Sequence, residues 1–180
     1  MKKKIFALLV AALSVCTVSA QVSFMGIPVD GTKYDVEKAL ERKGFSYCDE
    51  GMEGKIDGKP VFVAVFVNDA GKVYRIAVAN MSPIRNQNVA KERYNALADM
   101  FANDNRYTVC QSTRIPQTTD IYKTLALRGN VCRSVFSYNS STTQMVGVFL
   151  LYDGTHGTKA YNSDGWYVSV RFDNLDNQPK

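Results

Sequence analysis

A two-residue turn between strand-like segments is the feature that most restricts the fold of this 180-residue chain. Asp57-Gly58 is typical of tight β-hairpins, because both residues readily adopt positive φ. The segment 61–67 that follows reads Val-Phe-Val-Ala-Val-Phe-Val and is apolar on both of its alternating faces. We therefore expect residues 52–56 and 59–67 to form an antiparallel hairpin. Its segment 61–67 is predicted to be a central strand covered on both sides.

The residues before this hairpin predict a short amphipathic helix. Thr32, with Asp35 three residues later, is a start that resembles a capping box. Gly44 can end the helix in the left-handed conformation, and Phe45 can close the cap with a hydrophobic contact.

The second half of the chain predicts the same order of elements. Asn86 or Asn88 can cap a helix of about fifteen residues. Apolar residues recur along it at helical spacing, at Ala90, Tyr94, Leu97 and Phe101. Strand-like segments follow at residues 106–110, 121–127, 131–138, 144–152 and 166–172.

These segments predict an α+β fold in which two amphipathic helices pack on one or two antiparallel meander sheets. Residues 21–180 are predicted to form a single domain, since a chain of this length can bury a sizeable core. The repeated order also favours a tandem helix–meander repeat with halves 21–81 and 82–180.

The N-terminus has the pattern of a secretory signal peptide covering residues 1–20. Three lysines precede an apolar run, and small residues end at Ala20. The run is about half as long as a membrane-spanning helix. We therefore expect the mature chain to be exported, periplasmic or secreted, with no transmembrane segment. Lipidation at Cys16 is not expected, because Val15 is bulkier than the residue that precedes a lipidated cysteine.

Removal of the signal peptide changes the charge of the protein. The whole chain carries a net charge of +5, whereas cleavage after Ala20 leaves 19 basic and 17 acidic residues, a net charge of +2. So small an excess does not predict a nucleic-acid partner.

Three cysteines remain in the mature chain: Cys48, Cys110 and Cys132. In an oxidising compartment they favour one disulfide among the three, with one thiol left over. A fully reduced, buried set is the alternative. A catalytic thiol is not expected, because His156 is the only imidazole that could activate it.

The sequence contains no recognisable catalytic or cofactor-binding motif. One histidine, in a glycine-rich loop, excludes a Ser-His-Asp triad and zinc sites with several histidines. No phosphate-binding loop or dinucleotide fingerprint occurs, so neither a cofactor nor a metal is predicted. An acidic group of Asp49, Glu50, Glu53 and Asp57 is interpreted as a solvated turn, with a catalytic carboxylate pair and a weak cation site as the alternatives.

Aromatic side chains are concentrated in the last two hairpins. Tyrosine and tryptophan provide large contact areas at low entropic cost, so they are common in binding sites. Trp166 and Tyr167 point to opposite faces of one strand, so at most one of them is buried against the helices. The predicted binding residues are Tyr152, Tyr161, Trp166 and Tyr167.

The chain resembles two groups of proteins, the first over most of its length and the second in architecture alone. The segment Phe-Met-Gly-Ile-Pro-Val-Asp-Gly-Thr at residues 24–32, followed by a helix and Lys-Gly-Phe, resembles uncharacterised secreted proteins of Gram-negative gut anaerobes. The order of strand, Gly-x-Pro, capped helix and antiparallel strands resembles SmpA/OmlA envelope proteins and the β-lactamase-inhibitor-protein fold. The resemblance implies a non-enzymatic role in the envelope or outside the cell.

We therefore expect a secreted or periplasmic binding module that presents an aromatic-rich sheet face or loop to a protein or glycan. The alternatives are a hydrolase of envelope sugars that uses two carboxylates, and a structural component of the envelope. An exposed strand edge could also pair with a second copy, and the sequence does not predict the oligomeric state.

Overall fold

A computed structural model describes residues 21–126, 131–153 and 165–179. The expected signal peptide with Cys16, and the residues His156 and Tyr161, lie outside the described residues.

The described chain contains three helices and ten strands. The helices are α1 (Lys33–Glu41), α2 (Gln87–Ala102) and α3 (Ile121–Thr124). The strands of the first half are β1 (Ser23–Phe24), β2 (Ile27–Pro28), β3 (Ser46–Cys48), β4 (Gly51–Ile56), β5 (Lys59–Val67) and β6 (Val73–Asn80). Those of the second half are β7 (Tyr107–Gln111), β8 (Cys132–Tyr138), β9 (Gln144–Asp153) and β10 (Gly165–Asn174), followed by a 3₁₀ turn (Leu175–Asn177).

Strands β3 to β10 form one antiparallel sheet in the order β3-β4-β5-β6-β10-β9-β8-β7, and β1 pairs with β2 in a small separate hairpin. The predicted α+β class with antiparallel strands is confirmed. In each half a long helix precedes four meandering strands, and the last strands of the two halves, β6 and β10, pair at the middle of the sheet. A common origin of the two halves stays a prediction.

Both long helices cover the same face of the sheet, which we call the inner face. Helix α1 contacts β5, and α2 contacts β7 to β10. Phe24 connects the core under α1 with the core under α2. Its ring contacts Phe45 after α1 and Phe172 on β10, at centroid distances of 6.2 and 5.5 Å. The other face, which we call the outer face, carries no helix among the described residues.

Strand β5 is an interior strand, but the prediction that both of its faces are covered was wrong. Val61, Val63 and Val65 are buried on the inner face. Phe62 is only half-buried on the outer face, and Phe66 is exposed. In the described part of the chain, the apolar segment 61–67 is therefore covered by helices on its inner side only. Side chains of the neighbouring strand β6 shield part of its outer side.

The predicted start and end of α1 are confirmed. Thr32 is the N-cap, and its hydroxyl accepts a hydrogen bond from Asp35 N at 3.2 Å. Gly44 has a φ of +90°, and the following Phe45 N–H returns to Leu40 O. The turn Asp57-Gly58 also has positive φ at both residues, as the hairpin prediction requires.

Helix α2 uses one side for the core and another to hold a long loop. Asn86 is its N-cap, and the predicted residues Ala90, Tyr94 and Phe101 are buried. A polar stripe at four-residue intervals binds residues 114–121. Its four contacts are Gln87 Oε1 with Ile121 N, Lys91 Nζ with Gln117 O and Thr119 O, Asn95 with both backbone groups of Ile115, and Asp99 with Arg114.

The segment that begins at Ile121 is a helix, not the predicted strand. Asp120 caps α3 by accepting a hydrogen bond from Lys123 N, and Thr124 Oγ1 donates to Asp120 O. Ile121 is buried, and its N–H is bound by α2. The cap and this contact with a distant helix outweigh the strand preference of the local sequence.

Asp30 connects the start of α1 with the C-terminal turn. Its carboxylate accepts hydrogen bonds from Gly31 N at 2.8 Å and Asn177 Nδ2 at 2.9 Å, and Lys72 Nζ lies 3.3 Å away. A hydrogen bond from the Gln21 side chain contributes most to lowering the pKa of Asp30 to about 2, and the other three partners add to it against the effect of burial.

We expect Asp30→Asn to lower the free energy of unfolding at pH 7 by about 1 kcal/mol, a value reduced for solvent screening at a side chain that is one third exposed. An unfolded aspartate takes up its proton near pH 4, whereas Asp30 stays ionised to about pH 2. The difference should therefore persist above pH 4 and shrink as the pH falls towards 2. Urea unfolding at several pH values measures it, with the exposed turn variant Asp69→Asn as control. A difference independent of pH would contradict this role.

Among the described residues, no helix combines the length and the apolar character needed to cross a membrane.

Candidate functional site

The predicted aromatic residues do not form one exposed surface. Trp166 is only 2% exposed, and its backbone N–H and C=O bind Ile84. Tyr152 is half-buried, with ring centroids 4.9 Å from Trp166 and 5.5 Å from Tyr122. These three rings belong to a cluster at one end of the inner face.

Tyr167 lies on the outer face, opposite Leu151 of β9. The prediction that at most one of Trp166 and Tyr167 is buried against the helices is confirmed. Tyr167 is half-buried, and burial raises its pKa, with a smaller contribution from Asp153. A binding role for these residues stays a prediction.

The outer face carries aromatic rings shielded by arginines. Arg171 lies over the ring of Phe149 at 4.2 Å, and Arg75 lies over Phe66 at 5.9 Å. Burial lowers the pKa of Arg171, and the nearby positive charge of Arg75 lowers it further. These cation–π contacts shield part of the apolar outer face from water.

The expected disulfide is absent: Cys48, Cys110 and Cys132 are all free. Cys48 is on edge strand β3 and Cys110 on the opposite edge strand β7, so the width of the sheet separates them. Cys132 is buried on the inner face, whereas Cys110 is exposed. Burial raises the pKa of Cys132, which disfavours the reactive thiolate.

The acidic residues of the first meander do not converge. Asp49 and Glu50 lie in the exposed turn before β4, and Asp57 lies in the turn after it. The six residues of β4 separate these turns by about 20 Å. Glu53 is on the outer face, opposite Phe62. Within residues 21–126, 131–153 and 165–179, no group of three His, Cys, Asp or Glu side chains could hold a metal ion.

A cavity of about 740 Å³, which the sequence did not predict, lies between α2 and the inner face. We call it the helix–sheet cleft. It exists because α1 and α2 pack over different parts of the sheet, which leaves the strands between them partly uncovered. Its floor is formed by four valines of β5, β6 and β10: Val61, Val78, Val168 and Val170.

One wall of the cleft is a second apolar stripe of α2, next to the stripe that faces the core. Val89, Ala96, Leu97 and Met100 line the cleft from this helix. Val89 is 48% exposed and Met100 is 54% exposed. The opposite wall includes Ile56 and the turn that follows it, while the ring residues Phe24, Phe101 and Phe172 line one part of the cleft.

Arg93 is the half-buried charged residue of this wall. It lies one helical turn after Val89 and one turn before Leu97. Arg93 has no hydrogen bond or ion pair within the described residues. Desolvation alone lowers its pKa. The cleft thus combines an apolar lining with one unpaired guanidinium.

This stripe has a signal in the sequence, since Val89, Ala96 and Met100 are spaced at helical intervals beside the predicted core stripe, to which Leu97 belongs. The spacing marks an apolar side of a helix, but it does not distinguish a covered side from an open one.

Comparison with known proteins finds no match: no family model, no curated protein and no solved structure is similar to this chain. The resemblance to SmpA/OmlA envelope proteins and to the β-lactamase-inhibitor-protein fold therefore stays a prediction.

Proposed function

We propose that this chain is an exported, non-enzymatic binding protein that holds an apolar ligand in the helix–sheet cleft. The observation that carries the proposal is the cleft itself, whose volume of about 740 Å³ lies within the range of small-molecule sites. Valine, leucine, methionine and phenylalanine side chains supply most of its lining.

The exposure of this lining supports a ligand. Val89 and Met100 keep about half of their surface in contact with water, although both adjoin an apolar floor. A ligand that covers such surface gains about 25 cal/mol for each Å² removed from water. Contiguous exposed apolar surface of this kind is characteristic of binding sites.

Export is proposed from the signal-peptide pattern of residues 1–20. A non-enzymatic role is proposed because the sequence has no recognisable catalytic motif.

The sequence predicted a protein or glycan as the partner, bound on an aromatic sheet face. A second candidate function keeps this kind of partner but uses a different set of residues: Phe62, Phe66, Phe149 and Tyr167 lie on the outer face, where they could bind a protein or glycan.

The cleft can be tested by filling it. We expect the uncharged fluorescent probe N-phenyl-1-naphthylamine to bind the mature protein, and Ala96→Phe to weaken its binding at least tenfold. Ala96 lines the cleft from an exposed position on α2, so a phenyl ring there occupies the ligand volume without disturbing the core. Fluorescence titration measures the affinity.

The matched control is Ala102→Phe, the same substitution at an exposed position of the same helix outside the cleft lining. This variant should bind the probe as the unmodified protein does. Equal probe binding by Ala96→Phe and Ala102→Phe would show that the cleft is not the binding site, and weakening by Tyr167→Ala instead would favour the outer face.

A further inference from the structure

The position of Arg93 restricts the chemistry of a ligand in the helix–sheet cleft. Its side chain extends from the middle of the apolar wall of α2, between Val89 and Leu97. A guanidinium remains charged at all physiological pH values and has five donors but no acceptor. An apolar cleft with such a group in its wall therefore contains a positive charge and several free donors.

The other polar groups of the cleft are already satisfied or hydrated. Asp57, Lys59 and Glu92 also line the cleft, but they are exposed to water and carry charges of both signs. Asn80 accepts a hydrogen bond from Val168 N and donates to Ser82 O. Arg93 differs from them, because it is half-buried and has no partner among the described residues.

We propose that the ligand is an amphipathic anion, a medium-chain carboxylate that forms a bidentate ion pair with Arg93 and lays its alkyl chain along Leu97 and Met100. This inference rests on the proposed function. An Arg–carboxylate pair supplies two parallel charge-assisted hydrogen bonds to a group that has lost part of its hydration. The seven residues from Arg93 to Met100 correspond to about 10 Å along the helix axis, a length that an extended decanoate chain covers.

A ligand without a negative charge fits this wall less well. A neutral apolar molecule would further desolvate Arg93 without giving its donors an acceptor, which carries a free-energy cost. A cationic amphiphile would also be repelled by the guanidinium. Binding is therefore expected to follow the order carboxylate, then amide, then amine for chains of equal length.

Competition against N-phenyl-1-naphthylamine tests this order. The competitors are decanoate, decanamide and decylamine, each below its aggregation concentration. We expect decanoate to displace the probe at a concentration at least tenfold lower than decanamide. Equal potency of the acid and the amide, or a preference for the amine, would overturn the inference while the proposed function stands. Failure of both the probe and decanoate to bind would refute the proposed function.

Arg93→Met separates the ion pair from packing, because methionine keeps an unbranched apolar side chain at this position. We expect it to weaken decanoate binding about tenfold or more and to change decanamide binding less than twofold. Arg85→Met is the matched control: it removes the same charge from an exposed residue outside the cleft and should leave both affinities unchanged. Arg93→Gln, which also removes the charge, replaces Arg93→Met in this test if the methionine variant does not fold. Equal decanoate affinities of the Arg93 and Arg85 variants would overturn the proposal.

The unmodified protein and Ala96→Phe also test whether a second copy of the chain occupies the cleft. Light scattering should give the same molar mass for the unmodified protein and for Ala96→Phe. A dimer that Ala96→Phe converts into a monomer would show that the cleft is filled by another copy, and would overturn the assignment of a carboxylate ligand.

Discussion

Replacing Lys91 by methionine is expected to lower the free energy of unfolding by about 3 kcal/mol. The reason is that Gln117 O and Thr119 O lose the hydrogen bonds that Lys91 donates to them. Lys91 is 1% exposed, although it carries an amine. Its Nζ donates to Gln117 O at 2.5 Å and Thr119 O at 2.8 Å. Methionine fills a similar volume but cannot donate, so the loss reports on the two hydrogen bonds rather than on a cavity.

Urea unfolding at pH 7 measures this effect, and hydrogen exchange of residues 112–120 locates it. Lys123→Met, at a lysine whose side chain is 77% exposed, should change the free energy of unfolding by less than about 0.5 kcal/mol. If Lys91→Met were no more destabilising than Lys123→Met, Lys91 would not hold the loop against α2.

The second large effect is expected at Gly54. A Cβ atom at this position would lie 2.5 Å from Phe45 Cδ1 and 2.8 Å from Cε1. The Phe45 ring is buried and packs edge-on against Phe24, so it has little room to move. Gly54→Ala should therefore lower the free energy of unfolding by about 2 kcal/mol through overpacking.

A smaller neighbour should relieve this clash. In the double variant Gly54→Ala/Phe45→Leu, we expect the alanine to cost about 1–2 kcal/mol less than it does beside phenylalanine. Chemical unfolding of the two single variants and the double variant closes the cycle. Strict additivity of the two changes would contradict a direct steric conflict between these residues.

Local features of the fold could be predicted because neighbouring residues determine them. The Thr32 cap, the left-handed Gly44 and the Asp57-Gly58 turn each depend on a few consecutive residues, and all three are present. The α+β class followed from these features and from the alternation of strand and turn patterns.

Two predictions were wrong, the strand that begins at Ile121 and the covered outer side of β5. In both cases a distant contact decides the structure. Ile121 is placed in a helix partly by Gln87, which lies 34 residues earlier. Within the part of the chain that the structure describes, no element covers the outer side of β5, and Arg75 from the next strand lies over Phe66. No pattern within 61–67 reports such a contact.

The helix–sheet cleft could not be predicted for a similar reason. It depends on where α1 and α2 dock on the sheet, and helix periodicity gives the apolar side of a helix but not its distance from the next element. Arg93 reads from the sequence as one of many surface arginines. Only the packing of Val78 and Val170 opposite α2 makes it a charge in an apolar cleft.

The most direct test of ligand binding in the cleft is methyl NMR of the mature protein during titration with N-phenyl-1-naphthylamine. We expect the methyl signals of Val78, Val170, Leu97 and Met100 to shift, because these residues line the cleft. The methyl signals of Val135, Met145 and Leu151 on the outer face should remain unchanged. Shifts of the outer-face signals with unchanged cleft signals would contradict the account.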